Sequence, residues 1–180
     1  MKRRILLISL TLVLMLTALA PATALAAKPQ SFYAGGEVNY IEATVLGDNV
    51  FPAGNSGRWR VVGREIGGEL SGDVNGSFIM TFSANIESTE TQAGNLHGTL
   101  DVGESSFRVN GKIQPLELVG IIEIAPGLYA PKLKLTINGH WNLSGRQGNG
   151  AFNAWVIFIP DENGHVASIL ASSFTMTGKW

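Results

Sequence analysis

The sequence predicts an all-β fold, an antiparallel meander of eight to ten strands that closes, or nearly closes, into a β-barrel. Three observations support this fold class. Apolar and polar residues alternate with a period of two, short turn motifs separate the alternating runs, and glycines recur inside those runs. No stretch after residue 27 has apolar residues at helical spacing over three turns. A sandwich of two sheets is the alternative arrangement of the same strands.

The alternation is clearest over residues 77–86, 96–102, 107–113 and 132–143. Because side chains of a strand point alternately to its two faces, each of these runs presents one apolar and one polar face. Weaker strand candidates cover 38–46, 58–66, 69–74, 116–124, 151–159 and 166–180. We expect Lys134, His97 and His140 to be exposed. The residues predicted to share one buried core are Phe78, Met80, Phe82, Leu135, Ile137 and Trp141.

Short turn motifs separate the predicted strands. Short connections favour antiparallel neighbours, since a parallel return needs a crossover of about a dozen residues. The one long irregular segment covers residues 47–57, and we expect it to be a mobile or functional loop. The motifs are Gly67-Gly68, Asn75-Gly76, Gly103-Glu104, Asn110-Gly111, Pro126-Gly127 and Asp161-Glu162-Asn163-Gly164.

A Gly-x-Leu-x-Gly-x-apolar pattern occurs at residues 68–74 and again at 94–100. Its two glycines fall on the same face as the core side chains. Glycine inside a strand marks a bend, a bulge or a close approach of two backbones. Repeated bends help a sheet to curl closed, so the pattern favours a barrel over a flat sandwich.

Residues 1–27 have the pattern of a signal peptide. Lys2, Arg3 and Arg4 form a basic start, residues 5–20 are mostly apolar, and Ala24-Leu25-Ala26 offers a cleavage site after Ala26 or Ala27. We therefore expect an exported protein, secreted or periplasmic. Residues 28–180 then form a single barrel domain.

Composition excludes several classes of function. Without the three basic residues of the predicted signal peptide, the chain has 10 basic and 14 acidic residues. The predicted mature chain therefore lacks the basic surface that nucleic-acid binding requires. The chain contains no cysteine, which excludes disulfides, thiolate catalysis and thiolate metal ligation. We expect no cofactor and no metal.

The three histidines are candidates for catalysis or metal binding. His97 and His140 fall on polar strand faces, and His165 follows a turn motif, so all three are expected in water. No spacing typical of a zinc site occurs. We predict that none of them binds a metal or takes part in catalysis.

Serines, carboxylates and glycines give no catalytic motif either. Ser56 and Ser144 lie in turn sequences, and no Gly-x-Ser-x-Gly motif is present. The run 145–150 is glycine-rich but lacks the Lys-Ser/Thr ending of a phosphate-binding loop, so a hairpin loop is expected. Two pairs of carboxylates are candidates for catalysis: Glu117 with Glu123 on one predicted strand, and Glu65 with Glu69 on either side of a predicted turn. Ordinary surface positions in an acidic protein account for all four.

Gly148-Asn149-Gly150-Ala151-Phe152, followed by Asn153 and Ala154, resembles the Gly-x-Gly-x-Phe segment of the allene oxide cyclase and dirigent-like barrels. The similarity covers about seven residues. It implies a closed eight-stranded barrel around an apolar cavity that accommodates a hydrophobic small molecule. No position of this chain matches a catalytic residue of that group.

The last predicted strand carries Phe174, Met176 and Trp180 on one face and ends in an aromatic residue, as the terminal strands of small outer-membrane barrels do. Three tyrosines are few for the aromatic girdles of such a barrel. An outer-membrane barrel is therefore kept as an alternative.

The function we expect from the sequence is non-covalent binding. Apolar strand faces are abundant and reactive groups at catalytic spacing are missing, which favours a soluble barrel that binds an apolar or amphipathic small molecule, or a surface partner. The alternatives are a barrel enzyme of the cyclase or dirigent type and a small outer-membrane barrel. The sequence does not define catalytic residues, the ligand or the oligomeric state.

Overall fold

The computed structural model describes residues 28–42, 50–88, 91–145, 147–161 and 165–180. The described chain is all-β, and none of its segments is a helix long and apolar enough to cross a membrane. The predicted signal peptide and most of the motif at 161–164 lie outside the described residues. The strands are β1 (Ser31–Ile41), β2 (Val50–Pro52), β3 (Trp59–Gly72), β4 (Gly76–Ile86), β5 (Gly94–Val102), β6 (Ser105–Ile113), β7 (Glu117–Ala125), β8 (Leu128–Leu143), β9 (Asn149–Pro160) and β10 (Val166–Lys179).

Eight strands close into an antiparallel barrel, which confirms the predicted fold class. Their order around the ring is β1-β10-β9-β8-β6-β5-β4-β3, and β3 pairs again with β1. Two strands lie outside the ring: β2 pairs with the start of β3, and β7 pairs with the first half of β8. Chain neighbours are mostly ring neighbours because the connections are short.

The barrel interior is the hydrophobic core. Phe78, Met80, Phe82, Ile137 and Trp141 are buried in it, as the alternation predicts, and Leu135 is half-buried against it. His97 and His140 are exposed, as predicted. Lys134 is half-buried rather than exposed because its ammonium lies over the Trp155 ring, 5.8 Å from the ring centroid. An outer-membrane barrel requires the opposite arrangement, with an apolar outer band and a polar interior.

Two predicted turns are wrong. Gly67-Gly68 lies inside β3, and Asn110-Gly111 lies inside β6. A Cβ at residue 68 would collide with the Glu37 carbonyl of β1, so glycine is required there by a close approach of two strands and not by a turn. The segment 47–57, predicted as a loop, contains β2 in its described part. The turns at Asn75-Gly76, Gly103-Glu104 and Pro126-Gly127 join consecutive strands as predicted.

Aromatic side chains fill one end of the barrel, which we call the closed end. The Phe32 ring lies 4.7 Å from that of Trp141 and 4.6 Å from that of Trp180, and Phe107 meets Trp141 edge-on at 5.4 Å, centroid to centroid. The Trp141 indole N–H donates to the carbonyls of Ala151 and Thr177 at 3.1 and 3.2 Å. The interior of the barrel is therefore filled with aromatic side chains at this end.

Candidate functional site

The opposite end of the barrel, which we call the pocket end, contains an apolar pocket. The space open there to the centre of a water molecule is about 40 Å³, several times the roughly 10–15 Å³ that one water needs. The empty space including the open mouth is about 490 Å³. The pocket is thus narrow and opens outward. Its lining residues are Ile41, Val61, Arg64, Phe82, Ala84, Ile86, Gln92, Ile113, Leu116, Leu135, Phe158 and Val166.

Arg64 supplies the charge of this pocket. Its side chain is only 4% exposed, and it is the one buried charged residue in the described chain. Its Nε and Nη2 atoms have no hydrogen-bond partner within the described residues. No acidic residue is among the described pocket-lining residues. A guanidinium without a partner in an apolar site is costly, because the water it has lost is not replaced.

A β-bulge in β3 places Val61 and Arg64 on the same inner face of the barrel. Val61 pairs with Ala84 and Arg64 with Phe82, so β3 has one residue more than β4 over this span. Gly63 takes a left-handed conformation with φ of +66°, as the first residue of a glycine bulge does. The bulge shifts the alternation by one residue. Consequently Val61 and Arg64, three positions apart, both point into the barrel.

Sequence reasoning missed Arg64, although the sequence carries a signal for it. Ile66, Gly68 and Leu70 face the interior, and Arg64 has the same parity along β3. The signal was hidden because residues 58–66 and 69–74 were read as two strands separated by a turn. If residues 58–74 are taken as one strand, the alternation places a cation on the core face.

The wall of the pocket end is split between β1 and β10. These strands pair from Ser31 opposite Lys179 to Gly36 opposite Phe174, and then diverge. Ser172 bridges the start of the gap: its hydroxyl accepts from the Val38 N–H at 2.9 Å and donates to the Val38 carbonyl at 2.7 Å. Ile41 and Val166, which flank the gap, both line the pocket. The gap between β1 and β10 therefore lies beside the pocket.

The histidines do not converge on this pocket. His97 and His140 are on the outer face of the barrel, and His165 is exposed, with its Nδ1 3.5 Å from the Asp161 carboxylate. Within the described ranges, no three His, Asp or Glu side chains are grouped closely enough to hold a metal ion.

The remaining candidates also lie away from the pocket. Ser56 is in a turn, where its hydroxyl donates to the Ala53 carbonyl at 2.8 Å. Glu65 and Glu69 do not flank a turn, because β3 runs through both. Ser144 lies in the turn after β8, and none of these residues lines the pocket with Arg64.

Comparisons of the chain with protein-family models, with curated proteins and with solved structures gave no match. The class of this protein is therefore defined by its own architecture. It is a closed eight-stranded barrel that is packed with aromatic residues at one end. The pocket at the other end contains the buried cation Arg64, whose Nε and Nη2 have no hydrogen-bond partner among the described residues.

Proposed function

We propose that this protein binds a small amphipathic anion, a carboxylate with a slender apolar chain, in the pocket around Arg64. The observation that carries this proposal is the guanidinium of Arg64, which is buried in an apolar pocket with no hydrogen-bond partner for its Nε and Nη2 among the described residues. A carboxylate fits the planar N–H fork of arginine and supplies the missing hydrogen bonds. A neutral ligand would leave the buried charge uncompensated.

The apolar walls select the rest of the ligand. Apart from Arg64 and Gln92, the described lining residues are hydrophobic. Burial of a methylene group contributes about 0.8 kcal/mol, so an alkyl chain adds affinity for as far as the walls extend. The narrow interior favours a straight chain over a fused-ring skeleton.

The same lining favours binding over catalysis. General acid–base or nucleophilic catalysis needs a titrating or nucleophilic group within hydrogen-bond reach of the substrate. Arginine and glutamine, the two polar residues of the lining, are hydrogen-bonding groups and not the usual nucleophiles or general acids and bases. The function supported by the pocket is the capture of a ligand rather than its conversion.

Calorimetric titration with butanoate, hexanoate, octanoate and decanoate, beside the matching alcohols, tests the proposal. We expect each added methylene to tighten binding by up to about fourfold until the pocket is filled. The alcohols should bind at least about tenfold more weakly than the carboxylates, since hydrogen bonds to charged groups contribute roughly 1.5–3 kcal/mol.

Arg64→Met is the decisive variant and Arg60→Met its control. Arg60 is an exposed arginine on the same strand, so its loss changes the net charge equally without touching the pocket. Arg64→Met should remove the preference for carboxylates over alcohols, and Arg60→Met should keep it. Equal binding of carboxylates and alcohols by the wild-type protein would refute the proposal.

A further inference from the structure

The hairpin of β7 and the first half of β8 projects from the pocket end of the barrel as an arm, residues 117–134. β7 pairs with β8 alone, and β8 first pairs with β9 at Leu133, opposite Phe158. Residues 128–132 are therefore joined only to β7. An isolated two-stranded hairpin is marginally stable in water, so this arm gains stability from any surface that covers it.

Exposed apolar side chains are concentrated on the arm. Of the eleven large hydrophobic residues that are exposed in the described chain, six lie on it. Ile121, Leu118 and Tyr129 are 66%, 63% and 63% exposed. The other three are Val119, Ile124 and Leu128. A contiguous apolar surface of this kind marks an interaction site, whereas single exposed hydrophobic residues do not.

The tip of the arm is apolar on both faces. Its six residues, 124–129, read Ile-Ala-Pro-Gly-Leu-Tyr and contain no charge, although turn sequences are normally polar. Leu128 and Tyr129 are consecutive strand residues and point to opposite faces of the hairpin. The apolar surface therefore surrounds the tip.

The dimensions of the tip argue against a protein partner. The tip has about three residues on each side, so a ribbon about 10 Å wide and about 10 Å long offers on the order of 100 Å² per face. A stable protein–protein interface buries about 800 Å² per partner. A lipid surface, in contrast, covers both faces at once.

Charged residues on the arm set the depth of insertion. Lys132 lies four residues from Leu128, or about 13 Å along the strand, which fits a tip buried about 5–10 Å with the ammonium among the headgroups. Glu123 pairs with Tyr129 at the base of the tip, and its Oε1 accepts from the Gly127 N–H at 2.8 Å. This hydrogen bond replaces part of the hydration that the carboxylate loses as the turn approaches the lipid.

We propose that the arm docks the protein on a lipid surface by inserting its tip, residues 124–129, into the interface of the bilayer. Insertion rests on apolar burial, so a zwitterionic bilayer is sufficient. This proposal does not depend on a ligand for Arg64. Because the arm leaves the barrel at the pocket end, docking would turn the mouth of the pocket toward the lipid.

Co-sedimentation with palmitoyl-oleoyl-phosphatidylcholine vesicles tests this docking. Protein spanning residues 28–180 should be used, since this span carries every strand of the barrel and lacks the apolar segment 5–20. We expect the wild-type protein to sediment with vesicles and Leu128→Glu to partition at least about tenfold less, as burial of one leucine side chain is worth that factor or more. Ile79→Glu, at a residue 50% exposed on the barrel wall, is the control and should partition like the wild type.

A fluorescent label gives a readout that does not depend on removing apolar residues. The chain has no cysteine, so Ala125→Cys and Glu104→Cys each accept one environment-sensitive dye, at the tip and at the closed end respectively. Vesicles should shift the emission of the tip label to the blue and leave the other label unchanged. Failure of the wild type to bind vesicles, equal shifts at both labels, or a wild-type dimer in sedimentation velocity that Leu128→Glu dissociates would overturn the proposal; the last result would assign the arm to a second copy of the chain.

Discussion

At the scale of single residues, Arg64 is the position where stability and function conflict. Its guanidinium has lost most of its contact with water, and two of its nitrogen atoms have no described partner. Such groups persist at binding sites, where a ligand supplies the missing interactions. The conflict has a measurable consequence in the ligand-free protein.

Arg64→Met should stabilise the ligand-free barrel. Replacement of buried charged groups by apolar ones of similar volume is neutral or stabilising by up to about 4 kcal/mol, and here the charge is unpaired as well. Urea unfolding measures the change. The exposed control Arg60→Met should shift the free energy of unfolding by less than about 0.5 kcal/mol. A large loss of stability in Arg64→Met would mean that the guanidinium is well paired in solution.

Phe82 and His140 test whether inward and outward faces are assigned correctly. Phe82 is buried in the barrel, and His140 is exposed on its outer wall. Phe82→Ala should cost about 3–5 kcal/mol, the usual range for a buried phenylalanine, and His140→Ala less than about 0.5 kcal/mol. Thermal and urea unfolding of both variants measure these changes in the free energy of unfolding. Similar small effects of the two substitutions would contradict the assignment of Phe82 to the inner face and of His140 to the outer face.

At the scale of elements, the opening between β1 and β10 depends on one side chain. Ser172 satisfies both the N–H and the carbonyl of Val38, a residue that is 2% exposed. The hydroxyl thereby substitutes for the strand-to-strand hydrogen bonds that end at Gly36. The gap beside the pocket is held at a defined position as a result.

Ser172→Ala should destabilise the protein by about 1–3 kcal/mol, because it leaves a buried N–H and carbonyl without a partner. Ser168→Ala, on the exposed part of the same strand, is the matched control and should be nearly neutral. Hydrogen exchange of the Val38 amide should accelerate in the first variant only. An unchanged exchange rate would mean that the hydroxyl does not hold the gap.

At the scale of the whole molecule, closure of the barrel depends on the close approach of β1 and β3. A Cβ at Gly36 would collide with the Glu69 carbonyl of β3. At the neighbouring Gly35, an added Cβ would meet only the hydroxyl end of the flexible Tyr33 side chain, at 2.6 Å. We therefore expect Gly35, but not Gly36, to tolerate an added methyl group.

Gly36→Ala should weaken ring closure and lower the midpoint of cooperative unfolding, whereas Gly35→Ala should change it little. The physical reason is that backbone cannot move aside as a side chain can. Differential scanning calorimetry of both variants measures the difference. Equal midpoints would show that the β1–β3 pairing tolerates an extra methyl group and does not limit closure.

The export of the protein also concerns the whole chain and stays a prediction. If residues 1–27 act as a signal peptide, N-terminal sequencing of the secreted protein should begin at Ala27 or Lys28. A secreted form that retains residues 1–20 would contradict it. The resemblance of residues 148–154 to the allene oxide cyclase and dirigent-like barrels likewise stays a prediction.

The sequence by itself determined the fold class, most strand positions and the inward-facing residues of the regular strands. A period of two needs only the geometry of a strand, so Phe78, Met80 and Trp141 could be assigned to the core, and His97 and His140 to the surface, without tertiary information. The short turns gave the antiparallel order for the same local reason.

Only the tertiary structure decided the candidate site. The lining that β3 gives the pocket depends on the bulge at Gly63, which is defined by pairing with β4 and places Val61 on the same inner face as Arg64. Gly67-Gly68 could not be distinguished from a turn, because the requirement for glycine at Gly68 comes from β1, which lies about 30 residues earlier in the chain. The projection of β7 beyond the ring likewise follows from β8 pairing with β6 instead of β7 over its second half. Local alternation specifies which face of a strand a side chain lies on. Long-range pairing specifies where a strand has a bulge or changes its partner. The lining of the pocket and the projection of the arm both depend on such positions.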